Sequence, residues 1–469
     1  MEIVIDILHS ERVSGWIRGT SEPQIVRLTF NGQVRELRAD RPRADLKAPT
    51  AFAYIFDENM RSWLRRGETI EITVGDETAA PMHVRFPHST HKPIAFAIPA
   101  GQINARDDVS WYNPEDIAGN LFHYHNIGDS FVYDSTLKVL NFSDTVVLKI
   151  STVDEKNINQ INENCTAVVL RGSNYFHPNM DWMRAEEVFR RIKVPIVCFG
   201  VGIQTPDGKP LELTNDQVRM LHLLGDKTKS IGVRGARTAE EMNRLGVKNV
   251  DIIGCPTLFR RRTRHGHIEG WNPDAVHRVA FNVRREVSRD YAHDAASYLR
   301  RHIDIFKTFD DAFDTTIMTH GEVAEKIYAF RQERHYAKAE DELLRDGWFN
   351  GKLGDPVKNA YSKGIFYSDH VKDYDAFVRE YDLVTGYRLH GNLIALANGI
   401  PSFYFVYDER TQEICETFHI PYFDVRGNQQ FKLENVLRSD LFDDFNQNYA
   451  KSYETMVEFL EKNGLPHGL

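Results

Sequence analysis

The chain has 469 residues, with 42% hydrophobic and 27% charged residues and a formal net charge of −9. This balance excludes wholesale disorder, and an acidic chain without a long basic run is a poor nonspecific nucleic-acid binder, although a local basic groove would still suit a small anion. The length suggests about three domains, enough to bury a large core without disulfides or a structural metal. No run reaches the ~18 apolar residues of a membrane helix. The segment MEIVIDILHSER is acidic early and has no cleavage site, so no signal peptide is expected. Cys165, Cys198, Cys255 and Cys415 lack CxxC spacing and read as buried thiols in a reducing cytoplasm.

Residues 1–90 read as an accessory β module. Val26, Leu28 and Phe30 alternate with polar residues, and Asn31-Gly32 precedes Val34 and Leu37. Asn-Gly between alternating strands predicts a hairpin, because a type I′ turn needs positive φ at both central residues. Further strand-like runs at 15–18, 51–56 and 69–74 predict a small β-sandwich. Residues 91–118, rich in Pro, His, Asn and Asp, read as a linker.

From 119 onward, short apolar runs alternate with helical stretches. Such runs at 167–170, 195–199, 230–233, 250–253, 278–282, 315–318, 382–385 and 402–406 predict buried parallel sheets covered by helices. About 350 residues exceed one comfortable core. Two α/β lobes are therefore expected, over 119–270 and 271–469, divided at the turn-rich RRRTRHGHIEGWNPD.

In open parallel sheets, ligands bind beyond the carboxyl ends of the strands. Arg234 follows one strand end, ahead of a helix whose capping box would be Thr238 with Glu241; Arg237 reads as a surface arginine. Arg171 follows another strand end, in RGSNYF. Arg388 and His390 lie between a strand and a short helix stopped by Gly399 and Pro401. Free N–H groups at Gly391, Asn392 and Leu393 would join Arg388 in an anion site, and His390 could exchange protons there. Asn126-Ile127-Gly128-Asp129 precedes an amphipathic run at 131–140, with Asp129 or Ser130 as its cap and Gly128 open to ligand approach. Gly200-Val201-Gly202 lacks the third glycine of a dinucleotide fingerprint but suits close backbone approach to a ligand. His123 and His125 form too small a set for a metal site, so none is expected. No Walker A loop, GxSxG or HExxH is present.

Four segments in order, NIGD (126–129), PIVCFGVGIQ (195–204), VRGARTAEEMNRLG with IIGCPTLF (233–259) and GYRLHGNLIALANGIPSFYF (386–405), give residues 119–425 a resemblance to the polysaccharide pyruvyl transferase family. The resemblance implies two Rossmann-like lobes in a glycosyltransferase-B-like arrangement. It also implies transfer of the enolpyruvyl unit of phosphoenolpyruvate to a sugar of a cell-surface or exported polysaccharide, with formation of a pyruvate ketal and release of phosphate. Arg388 and His390 match the family's C-lobe pair, and Arg234 its N-lobe arginine toward phosphoenolpyruvate. The chain departs from the pattern at Gly235, where an acidic residue often follows that arginine. Residues 1–90 resemble β modules found beside bacterial glycan enzymes.

The resulting expectation is catalysis by His390, Arg388 and Arg234, with substrate contacts from Asn126, Gly128, Asp129, Arg171, Gly200, Gly202, Gly391 and Asn392. No metal or redox cofactor is expected; phosphoenolpyruvate is the donor. The partners are that donor and a sugar acceptor, lipid-linked or free, in the cytoplasm or at the inner face of the membrane. The alternatives are a nucleotide-sugar glycosyltransferase on the same architecture and a catalytically silent glycan-binding protein.

Overall fold

The structure is a computed structural model. It describes residues 1–8, 12–42, 48–57, 59–60, 70–79, 91–104, 108–111, 121–177, 180–204, 210–264, 266–286, 294–352 and 354–469. Two compact units emerge: residues 1–92 with 103–109 and 142–144, and residues 93–102, 110–141 and 145–469.

The first unit contains two antiparallel sheets. One orders Glu2–Leu8, Arg12–Arg18 and Ala51–Ile55; the other orders Gln33–Ala39, Gln24–Phe30, Glu71–Val74 and Glu77–Thr78. One apolar cluster, including Val13, Ile17, Val26, Leu28, Phe52 and Ile72, draws on both sheets and makes them a sandwich. Phe30 pairs with Gln33 across the turn, where Asn31 (φ 45°) and Gly32 (φ 71°) supply the two positive-φ positions.

The second unit holds two six-stranded sheets, parallel throughout. The first runs, in space, Thr145–Val147, Ile94–Phe96, Val168–Arg171, Ile196–Val201, Ile231–Val233, Val250–Ile252. The second runs Ile365–Phe366, Asp314–Met318, Arg278–Asn282, Leu383–Gly386, Ser402–Val406, Tyr422–Asp424. Each sheet reverses its winding once, beside Ile94–Phe96 in the first and Arg278–Asn282 in the second. Open α/β sheets bind ligands at such switch points. Each lobe is Rossmann-like, a six-stranded parallel sheet whose strands alternate with helices.

Arg260, at the crossover between the lobes, ties them together. Its Nη2 donates to Asp134 (2.6 Å) on the helix Ile127–Val139 and to Asp375 (2.7 Å) on the helix Val371–Val378.

Two boundaries need correction. The expected linker 91–118 carries a strand of the first sheet: Ile94–Phe96 is buried, with Val168–Arg171 on one side and Thr145–Val147 on the other. A three-residue strand between Pro and His residues has no pattern of its own and is held by its neighbours. Residues 112–118 of that linker lie outside the described residues. The C-terminal helix Asp443–Lys462, assigned to the second lobe, returns to the first. Phe459 stacks on Phe199 at 5.9 Å, and Lys462 pairs with Asp251 at 2.8 Å.

Candidate functional site

The first lobe offers two strand-end arginines, both buried. Arg171 donates through Nε to the Ile98 carbonyl (2.8 Å), and through Nη1 to the Gly172 carbonyl (3.1 Å) and Asp129 (3.3 Å). Asp129 sits in the first turn of the helix Ile127–Val139, which begins earlier than the expected 131–140. Its cap is Asn126, whose side chain accepts from the Gly128 N–H at 3.2 Å, rather than Asp129 or Ser130. Asp129 thus aims Arg171, and Asn126 is spent on the helix end.

Arg234 is held entirely by uncharged acceptors: its Nε donates to the Gly200 carbonyl (3.1 Å) and its Nη1 to Asn174 Oδ1 (2.8 Å). Gly200 takes φ 81°, and a Cβ on Gly202 would lie 2.6 Å from Asn174 Oδ1 and 3.0 Å from Arg234 Cδ. Both glycines, expected to approach the ligand, instead seat this arginine. Among the described residues, no carboxylate forms an ion pair with Arg234. Burial, with Arg410 nearby, pulls its pKa down, as burial also does for Arg388.

The second lobe meets it with a different frame. Arg388 is the N-cap residue of the helix Leu389–Ala397. It donates through Nε to the Val283 carbonyl (3.0 Å) and through Nη2 to Glu322, with both side chains buried. The expected free anion fork is therefore neutralised by a carboxylate. The helix starts two residues before Gly391, so its open N–H groups belong to the turn 389–391, and the Asn392 N–H already bonds the Arg388 carbonyl (3.2 Å). Asn392 is a strut rather than a ligand contact: it accepts from Asn282 (2.7 Å) and Ser402 (3.1 Å) and donates to the Gly386 carbonyl (3.2 Å). Arg410 is paired with Asp408 through Nε (2.8 Å), and Asp408 caps the helix Glu409–Phe418.

His390 lies in the first turn of its helix. A Cβ on Gly128 would lie 2.8 Å from its Nδ1, so that glycine makes room for the ring. Its Nε2 is buried and has no hydrogen-bond partner among the described residues. Burial, then Arg234, Arg171, Arg410 and Arg388, hold its pKa well below the ordinary histidine range. Four arginines from two lobes thus bear on one neutral imidazole.

Sequence reasoning missed several groups here. His320 is a second buried histidine with an unpartnered Nε2; Gly391 leaves it room, since a Cβ there would lie 2.9 Å from that nitrogen. Glu413, from the helix Glu409–Phe418, accepts from the Thr238 N–H (2.6 Å) and hydroxyl (3.0 Å). It replaces the expected Thr238–Glu241 box on the helix Ala236–Arg244. A Cβ on Gly235 would lie 2.2 Å from Glu413 Cγ, so a side chain there would collide with that carboxylate arm. Asn174, Glu322 and Arg410 complete the set. None of these stands within a recognisable local spacing.

His125 accepts or donates a hydrogen bond with Tyr367 (2.7 Å) and stacks on Trp111 at 5.0 Å; burial pushes its pKa to about 3. Among the described residues, no three His, Cys, Asp or Glu side chains are grouped to hold a metal ion, and no helix is long and apolar enough to cross a membrane.

The sequence model of the polysaccharide pyruvyl transferases matches residues 126–409, more than half of the chain and all of the groups described around His390 except Arg410 and Glu413. The chain belongs to the polysaccharide pyruvyl transferase family. This membership makes it a polysaccharide-modifying transferase. No curated protein sequence matches it. Similar solved structures include Anabaena Alr3699/HepE with UDP and glucose, at 10% identity and TM-score 0.38, covering 80% of this chain and 96% of that one. A UDP-N-acetylglucosamine 2-epimerase described as a possible one, from Listeria monocytogenes, aligns at 10% identity and TM-score 0.37 over 79% and 91%. S. aureus MnaA with UDP aligns at 12% identity and TM-score 0.36 over 80% and 92%.

Proposed function

We propose that the chain transfers the enolpyruvyl group of phosphoenolpyruvate to a sugar of a cell-surface or exported polysaccharide, closing a pyruvate ketal and releasing phosphate. The observation that carries this reading is the convergence of Arg171, Arg234, Arg388 and Arg410 on His390, with Arg234 outside every ion pair among the described residues. A buried cation outside any ion pair calls for an anion. Phosphoenolpyruvate brings a carboxylate and a phosphate, and the open N–H groups of the turn 389–391 suit either.

The same geometry couples donor binding to a proton. Burial first, and then the arginines, keep His390 neutral. A bound trianion offsets their field, raises the histidine's pKa and brings a proton in with it. The imidazolium then protonates C3, leaving C2 electrophilic toward a sugar hydroxyl, and the fixed arginines balance the charge on phosphate as it departs. The reaction so written uses no metal or redox cofactor.

The test is phosphate release from phosphoenolpyruvate with a panel of saccharide acceptors, alongside thermal protection by donors. Phosphoenolpyruvate is expected to raise the unfolding temperature and nucleotide sugars to leave it unchanged. The reverse pattern would reassign the chain to nucleotide-sugar transfer. Titration calorimetry in two buffers of different ionisation heat is expected to show proton uptake on donor binding near pH 7.

A further inference from the structure

We infer that His320 is a second proton carrier in this reaction: it takes the proton of the second acceptor hydroxyl and passes it to the departing phosphate. The inference rests on the ketal-forming reading above, and starts from its proton count. Two acceptor hydroxyls each lose a proton; one proton ends on C3 and the other on phosphate. His390 accounts for the first. It gives its proton to C3 and, once neutral, recovers one as the first hydroxyl oxygen bonds to C2. The C2–O bond to phosphate then breaks, the second hydroxyl oxygen bonds to C2, and its proton needs another acceptor.

The carboxylates nearby are already engaged. Asp129 is held by Arg171, Glu322 by Arg388, Asp408 by Arg410, and Glu413 by the helix end at Thr238. His320 is not. It follows the strand Asp314–Met318 at its carboxyl end, is 1% exposed, and has an Nε2 without a partner among the described residues. That nitrogen faces Gly391, the neighbour of His390 in the open first turn of the helix Leu389–Ala397. A buried polar atom left unmatched demands an explanation, and two such imidazole nitrogens bracketing one helix start point to shared chemistry.

The ring is held in place from several sides. Phe131 and Tyr374 pack edge-on at 5.2 and 5.6 Å, and the His320 carbonyl accepts from the Ile127 N–H at 2.9 Å. The groups facing it are His390 on the helix Leu389–Ala397 and Arg388 at its N-cap, Arg284 after the strand Arg278–Asn282, and the Tyr374 phenol on the helix Val371–Val378. Phe131 brings no charge from the helix Ile127–Val139, and Glu322 on the same loop as His320 is committed to Arg388. Burial and these cations keep the imidazole neutral, which is the form that accepts a proton. Phosphate leaving beside it then takes that proton and resets the ring.

The experiment separates the two stages in deuterium oxide. With phosphoenolpyruvate and a competent saccharide, His320→Gln is expected to bind donor within a few-fold of wild type. It should still exchange solvent deuterium into C3 in the presence of acceptor, yet release phosphate ~10²–10³-fold more slowly. His390→Gln is expected to lose both exchange and release. The acidic limb of the wild-type turnover profile, where His320 becomes protonated, is expected to disappear in His320→Gln. Near-normal phosphate release by His320→Gln overturns the proposal, as does parallel loss of exchange and release with donor affinity intact. Loss of donor affinity in both His320→Gln and His320→Asn assigns the residue to the lobe contact and overturns it too. If the wild-type chain shows neither exchange nor release with any acceptor, the ketal-forming reading itself fails.

Discussion

Arg234 in the first lobe and Arg388 in the second are held by opposite means. In the first, Arg234 is gripped by a carbonyl and an amide and forms no ion pair among the described residues, whereas Arg171 beside it pairs with Asp129. In the second, Arg388 and Arg410 are each answered by a carboxylate, Glu322 and Asp408, and deeper still Arg285 is surrounded by Glu325, Glu342 and Asp346. Uncharged acceptors fix a guanidinium's direction without cancelling its charge, whereas a buried ion pair holds direction and offsets part of the charge. The first lobe therefore holds a buried arginine outside any ion pair among the described residues, and the second holds its arginines in ion pairs beside His390 and His320, both kept neutral by burial first.

This contrast can be broken at named residues. The largest effect is expected at His390: His390→Ala should bind phosphoenolpyruvate within a few-fold of wild type but release phosphate roughly 10²–10⁴-fold more slowly. Parallel calorimetry and phosphate assays check this, and near-normal turnover would remove His390 from the proton step. Arg234→Met comes next. Losing a buried charge partner of a ligand costs about 2–5 kcal/mol, so donor affinity should drop at least tens-fold by titration. Affinity close to wild type would mean that the first lobe is not the anion wall.

Glu322→Gln sharpens the other side. It leaves Arg388 buried without its carboxylate, which should lower stability by roughly 3–5 kcal/mol in denaturant titration. Donor affinity should hold or rise, because the second lobe gains net charge; a fall in affinity would show that Glu322 itself orients the donor site.

Smaller again is the acid response. His125, His302, His320 and His390 are all buried, with pKa values below the ordinary histidine value through burial first. The unfolded chain therefore takes up protons before the folded one does. The stability these groups contribute is complete above about pH 6.5 and is lost progressively as pH falls toward their folded values, about 3 for His125. The unfolding temperature should be lower at pH 5 than at pH 7. His302→Phe, in a pocket formed with Phe281, Tyr298, Trp348 and Tyr387, should flatten that dependence; an unchanged slope would count against a neutral His302. The smallest effect is expected from deleting residues 1–90, which contain none of the arginines around His390. Phosphoenolpyruvate affinity should be unchanged in the folded truncation, and loss of binding there would place part of the site in the β module.

The alternating strands of the first unit, the Asn31-Gly32 turn and the long apolar strands of both lobes could be read directly from the chain, because their signals are local: period-two alternation, turn chemistry and continuous burial. Ile94–Phe96 and Tyr422–Asp424 were not read as strands, although the equally short Ile231–Val233 and Val250–Ile252 were; a three-residue strand forms only against its neighbour, whether or not the local sequence announces it. The site divides in the same way. Placing Arg171, Arg234, Arg388 and His390 at strand ends needed only the strand-to-helix punctuation around them. What each of them does there depended on partners distant in sequence. Glu322 neutralises Arg388 across 66 residues, Glu413 caps the helix at Thr238 across 175, and Asn174 steers Arg234 across 60. Gly200, Gly202 and Asn392 changed from ligand contacts to supports for the same reason: space beside a glycine, or an amide's free valence, is filled by whichever side chain the tertiary fold brings there. The sequence by itself determined which residues reach the carboxyl ends of the sheets, because strand and helix boundaries are set by neighbours in the chain. The tertiary structure alone decided which charges are cancelled and which histidines are left unpartnered, because ion pairing and desolvation depend on distances that close only when the two lobes pack.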